Sequence, residues 1–237
     1  MIKGIFFDLG GTLFHYEGAN KPIGKALVKA MTALGATSLE EIGRAFSKAN
    51  VEISKEFAEL DYYLHADMFR ATFHRAADHL SLAVSEDIYQ EFADVQHNSI
   101  VSNLELKNDC IDTLSALKSK EKYLSIVSNI DESMLHPLVE REGLHDYLDH
   151  WTSSEAAQSC KPHKAFFEVS LAKAGLEPSE VLFVGDSPEH DVNGASAVGM
   201  KTVLIRNGDS VAPLQSGKST VEPDFVVDTL SEIVSLV

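Results

Sequence analysis

Short apolar runs stopped by glycine or aspartate alternate with helically periodic stretches over most of this chain, and one long block breaks the alternation. The first run, Ile5-Phe6-Phe7, ends in Asp8-Leu9-Gly10-Gly11-Thr12, which reads as a buried strand entering a tight turn. Across residues 22–98 the apolar positions recur instead at helical spacing: Ile23, Leu27, Ala30, Met31 and Leu34, then Phe69, Phe73, Ala76, Ala77 and Leu80. No strand-like alternation interrupts them. This block predicts a separate helical unit.

Beyond it, strands and helices alternate. Ile111, Leu114 and Leu117 mark a helix that precedes a strand over 123–127. A helix over 135–142 is closed by Gly143, and a strand follows near 150–153. A helix over 164–174 is closed by Gly175. Val181-Leu182-Phe183-Val184 is apolar at every position, as expected of a strand buried on both faces. Residues 195–198 belong to a helix, and 202–205 and 225–227 to the last strands. Thr229 and Glu232 have capping-box spacing at the start of a terminal helix. The stretch 207–223, rich in Gly, Ser and Pro, is the most loop-like. Such alternation predicts an α/β core with a parallel sheet covered on both faces. The domain reading is residues 1–15 and 99–237 for the core and 16–98 for the helical unit.

Composition narrows the partners. With 237 residues, 44% of them hydrophobic and 24% charged, the chain can bury a full core and has no long disordered stretch. Its net charge of −16 argues against nucleic acid and against anionic membranes, since both need clustered Lys and Arg. A small anionic substrate stays open if the site supplies its own positive charge. Cys110 and Cys160, with no CxxC pair, suit a reduced cytoplasmic interior. Residues 2–7 are too short for a signal peptide or membrane span, so no targeting segment is expected.

In an open parallel sheet, ligands bind beyond the carboxyl ends of the strands. Polar clusters follow predicted strands or open predicted helices at 8–12, Ser128-Asn129, Lys161-Pro162 and 185–191. Asp8 and Asp186, brought together by separate strands, would repel unless a cation lay between them, and their hard oxygens suit Mg²⁺. The Asp8 carboxylate can also act as a nucleophile. Ser128 offers a hydroxyl, and Lys161 a charge that can neutralise phosphoryl oxygens and hold Asp8 ionised. Asp191 is better placed to orient other ligands than to bind the metal. Each cluster alone has a plain reading: a turn at Asp8 or Asp186, a helix cap at Ser128. Their joint order behind strands of one sheet is what favours chemistry.

These residues resemble the four motifs of the haloacid dehalogenase superfamily. The first is seen in Phe6-Phe7-Asp8-Leu9-Gly10-Gly11-Thr12-Leu13, and the second is similar to Ile126-Val127-Ser128-Asn129. The third is Lys161 before Pro162, and the fourth resembles Gly185-Asp186-Ser187-Pro188-Glu189-His190-Asp191. The resemblance implies a Rossmann-like core with a doubly wound sheet, a helical cap inserted after the first motif, and a phosphatase-like hydrolase. It also implies Asp8 as nucleophile, with Asp8, the carbonyl of Gly10 and Asp186 as Mg²⁺ ligands. Ser128, Asn129 and Lys161 would bind the phosphoryl group of a small phosphorylated substrate, with Thr12 and Asp191 in support.

The chain departs from the pattern at Gly10, where family phosphatases carry an aspartate as general acid and base. That group is typically worth about 10²- to 10⁴-fold in rate. A weak phosphatase, or one whose substrate has a good leaving group, is therefore expected; His15, Glu17, His65 or Asp67 are candidate replacements for the acid. A phosphonate-cleaving enzyme, with a small residue at that position and a cap lysine (Lys21, Lys25, Lys48 or Lys55), is one alternative. A metal-free dehalogenase, which resembles this chain but carries an aromatic residue there, and a non-catalytic binding module are others. Trp151 is expected in packing near the sheet, and His163 at the surface or the site entrance. His74 and His79, five apart, do not share a helix face.

Overall fold

The computed structural model describes residues 1–208 and 220–237, apart from the side chain of Glu17, so most of the loop-like 207–223 stretch lies outside the described residues. The described residues fall into two compact units, Met1–His15 with Glu105–Val237, and Tyr16–Leu104.

The first unit holds a six-stranded sheet, entirely parallel, in the order β3-β2-β1-β4-β5-β6. Its strands are β1 (Gly4–Phe7), β2 (Tyr123–Ser128), β3 (His150–Ser153), β4 (Val181–Gly185), β5 (Lys201–Ile205) and β6 (Phe225–Val227). Central β1 pairs with β2 on one side and β4 on the other, Phe7 lying level with both Ile126 and Val184. Both faces of β1 and β4 are buried, which is why their sequences are apolar without alternation. Strand order reverses at β1, and residues just beyond its carboxyl end therefore sit at the switch point of the sheet. One face packs Phe6, Val127 and Phe183 against Phe166, Phe167 and Leu171. Those last three lie on the helix Lys164–Ala174, which ends as expected at left-handed Gly175. The terminal helix is 3-10 rather than α, Leu230–Ser235, and its capping box between Thr229 and Glu232 is formed.

The second unit is helical throughout: α1 (Asn20–Ala33), α2 (Leu39–Phe57), α3 (His65–His79) and α4 (Glu86–Asn103). Leu27, Met31, Ile42, Phe73, Tyr89 and Phe92 form its core. Helix α4 runs unbroken past residue 98, so this unit ends at Leu104, later than the periodicity suggested. The physical reason lies in its buried face, which passes from Tyr89 and Phe92 to Gln96 and Ser99. Polar residues continue the stripe, and the hydropathy signal fades before the helix does. In the first unit, the returning chain is tied to the β1 loop, with the His15 amide donating to Glu105 O (2.8 Å) and the Lys107 amide to Leu13 O (2.8 Å).

Candidate active site

Four segments converge beyond the carboxyl ends of β1, β2 and β4. The loop after β1 folds back on itself: the amides of Leu13 and Phe14 both donate to Leu9 O, and that of Gly11 to Phe14 O. Gly11 sits at φ +73°, a left-handed conformation that glycine adopts without the Cβ penalty. This turn projects Asp8 into a cluster with Ser128, Lys161 and Asp191. The Ser128 hydroxyl donates to Asp8 Oδ1 (2.8 Å), and the Lys161 ammonium donates to the same oxygen (2.6 Å). Lys161 also donates to Asp191 Oδ1 (2.6 Å), and its Nζ lies 5.4 Å from the centre of the Phe183 ring.

Burial makes these charges consequential. Asp8 is 7% exposed, Asp186 8%, Lys161 4% and Asp191 1%. Burial by itself favours the neutral amine at Lys161, but the carboxylates of Asp191 and Asp8, as charges and as hydrogen-bond acceptors, hold it above the ordinary lysine range. Lys161 is thus a fixed cation at the Asp8 carboxylate.

The backbone of Lys161 is held as firmly as its head group. Its amide donates to Asn129 Oδ1 (2.7 Å), and its carbonyl accepts from Asn129 Nδ2 (3.1 Å). That carbonyl is also 3.0 Å from His190 Nδ1, which must carry the proton because a carbonyl only accepts. Both polar atoms of the Asn129 side chain thus bond the Lys161 backbone.

The fourth motif forms a π-turn, Pro188–Val192, a geometry frequent at functional sites. Asp191 Oδ2 accepts from the Ser187 amide (2.9 Å). Gly185 makes the fold-back possible, since a Cβ there would lie 2.2 Å from that same Asp191 oxygen.

Oxygens of Asp8, Asp186 and Asp191 all lie within 4.8 Å of one another. At that separation two ionised carboxylates repel by about 3 kcal/mol, taking an effective dielectric near 20. Lys161 answers Asp8 and Asp191, and both Asp191 oxygens are already bonded, to Lys161 and to Ser187. Asp8 and Asp186 supply hard carboxylate oxygens of the kind Mg²⁺ takes. Thr12 adds a second observation: its Oγ1 is buried with no hydrogen-bond partner, a cost that a bound ligand would relieve.

Sequence reasoning passed over two residues here. The Lys107 ammonium donates to Asn207 Oδ1 (2.7 Å), and Asn207 Nδ2 donates to Gly11 O (2.9 Å) and Asp186 Oδ2 (3.3 Å). Burial pushes Lys107 below the ordinary lysine range, with Asp186 opposing. Their separation of 100 residues and the lack of a motif around either leave no signal to read.

His15 is exposed on the first unit, and His65 and Asp67 belong to the helical unit, where the His65 ring is tilted against Tyr63 and edge-on to Phe69. Glu17 lies outside the described side chains. Lys21, Lys25, Lys48 and Lys55 are all exposed. His163 is half-buried where the Lys164–Ala174 helix begins. Trp151 is half-buried on β3, its ring edge-on to His136.

A parallel sheet of this order, with an aspartate at its switch point, is a Rossmann-like core. The family model for haloacid dehalogenase-like hydrolases matches residues 2–199, and the chain belongs to that family, as a hydrolase with a helical cap. It is 26% identical to the ribulose-1,5-bisphosphate 5-phosphatase of Halopiger xanaduensis, over 100% of both chains. A haloacid dehalogenase-family phosphatase from Thermococcus onnurineus has a solved structure with TM-score 0.73 and 26% identity, over 99% of this chain and 97% of that one. The L-2-haloacid dehalogenase of Xanthobacter autotrophicus, solved with chloropropionic acid covalently bound, shares the fold at TM-score 0.72 and 24% identity, over 100% and 98%.

Proposed function

We propose that this hydrolase is a Mg²⁺-dependent phosphatase of small phosphorylated metabolites, working through an aspartyl-phosphate on Asp8. The observation that carries this reading is the buried Asp8 carboxylate held by Ser128 and Lys161, with an Asp186 oxygen within 4.8 Å. Asp8 and Asp186, with the Gly10 carbonyl, would hold Mg²⁺, which when bound supplies further positive charge to the phosphoryl oxygens. The Asp8 carboxylate attacks phosphorus; an O–P bond forms as the bond to the leaving oxygen breaks, and the electron pair departs with that oxygen. Lys161 and Ser128 stabilise the charge on the transferring group. Water then hydrolyses the acyl phosphate, releasing inorganic phosphate and returning the carboxylate. Asn129 and Asp191 act by fixing Lys161, and Thr12 Oγ1 is available to a phosphoryl oxygen.

Gly10 sets the substrate preference. With no carboxyl group there to protonate an alkoxide, acyl phosphates and phosphoanhydrides, which leave without a proton, are the favoured substrates. The negative charge of the chain and its two buried cysteines, neither in a disulfide, support a metabolite partner in a reducing cytoplasm rather than nucleic acid or membrane. Burial pushes the Cys110 thiol up to about 12, so it is inert. No helix among the described residues is long and apolar enough to cross a membrane. Hydrolysis of acetyl phosphate, p-nitrophenyl phosphate and a sugar phosphate, with and without Mg²⁺, is the test. Acetyl phosphate should turn over fastest and only with the metal; sugar phosphates fastest by far would sink the leaving-group argument. Gly10→Asp should raise ester hydrolysis by about 10²-fold, and no gain would point to another proton source.

A further inference from the structure

We infer that Lys107 and Asn207 form a positioning pair that presets the Asp186 carboxylate and the β1 turn for the metal, an inference that rests on the metal reading of the site above. Hydrogen-bond polarity fixes how the Asn207 amide is turned. An ammonium only donates, so the 2.7 Å contact from Lys107 forces Asn207 to present Oδ1 to it. The amide nitrogen must then point the other way, where it meets two acceptors, Gly11 O at 2.9 Å and Asp186 Oδ2 at 3.3 Å. A reversed amide would set donor against donor at Lys107 and acceptor against acceptor at Asp186. Lys107 thus determines which face Asn207 shows to the carboxylate.

The pair also joins segments that have no covalent reason to stay in register. Lys107 is buried and anchored to the β1 loop by its own amide, which donates to Leu13 O. Asn207 lies just past β5, and Asp186 just past β4. One side-chain amide therefore ties the end of β5 to the turn after Asp8 and to the turn that carries Asp186. Groups that orient a metal-binding carboxylate typically matter about 10- to 100-fold in metal affinity.

The test measures Mn²⁺ binding by electron paramagnetic resonance, and the Mg²⁺ dependence of acetyl phosphate hydrolysis, in the full chain. Lys107→Met and Asn207→Ala should each weaken Mn²⁺ binding by about tenfold or more and raise the Mg²⁺ needed for half-maximal rate, with kcat recovered at saturating Mg²⁺. The double variant should bind no more weakly than Asn207→Ala alone, because the lysine acts through the amide. Lys107→Arg, which keeps a donor, should recover part of the affinity. Thermal melts identify any variant that has lost its fold, and Asn207→Ala, at a half-buried position, keeps the test alive if Lys107→Met unfolds. Wild-type Mn²⁺ affinity in folded Asn207→Ala, or additive losses in the double variant, overturns the pair. A wild-type chain that binds no Mn²⁺ overturns the metal reading beneath it.

Discussion

The two units use charge in opposite ways. In the helical unit, Arg75 bonds Glu52 and Glu56 (3.1 and 3.0 Å), Glu52 also meets His79, and Arg70 bonds Glu86 (2.6 Å). The Arg–Glu pairs are exposed or half-buried, where water and salt can replace either partner. At the switch point of the sheet, one lysine serves two aspartates at equal distances of 2.6 Å, and all three residues are buried. Loss of one partner there leaves a buried charge with nothing to compensate it. Equal geometry on paper thus carries unequal weight, and burial decides the difference.

The largest effect should come from breaking the buried cluster. Lys161→Met removes the cation between Asp8 and Asp191 and should cost about 3–5 kcal/mol in urea unfolding, with turnover falling about 10²- to 10³-fold. Stability loss without activity loss would mean that Lys161 is structural only. Gly185→Ala comes next. Its Cβ would meet the Asp191 carboxylate at 2.2 Å, so Asp191 must move, at about 1–3 kcal/mol of overpacking, and turnover should fall although no ionisable group has been touched.

A smaller effect follows pH. His150 on β3 is neutral and wedged between the Tyr123 hydroxyl (2.7 Å) and the Ser125 hydroxyl (2.8 Å), and burial pushes it down to about 4. An unfolded histidine titrates near 6.5. Between those values the unfolded chain takes up a proton that the folded one refuses, so stability is full above about 6.5 and falls as pH drops towards 4. Unfolding midpoints measured across that window should decline in the wild type and flatten in His150→Asn. Smallest of all, Arg75→Ala should shift the melting curve at the limit of its resolution, and less still in about 1 M salt. A large shift would erase the contrast between the units.

Much of this was legible because local chemistry and tertiary structure agree. The apolar run ending at Asp8, the glycine closures at Gly143 and Gly175 and the capping box at Thr229 all form as their sequences imply. Asp8, Ser128, Lys161 and Asp186 could be grouped because each follows a strand or opens a helix, and a parallel sheet sends all such positions to one end. The end of α4 was not legible, since buried Gln96 and Ser99 carry no apolar signal. The commitment of Asn129 to the Lys161 backbone was equally hidden, because a side-chain amide serves a backbone or a ligand with the same atoms.

On its own, the order of residues determined the strands, the helical insertion and the set of polar groups gathered at the sheet's end. Periodicity and turn chemistry act within a few residues, so they survive in a linear string. Which oxygen meets which donor was decided only by tertiary structure. Lys107 and Asn207, Asn129 and Lys161, and His150 between Tyr123 and Ser125 are partners chosen by packing across distant segments, and no local rule encodes them.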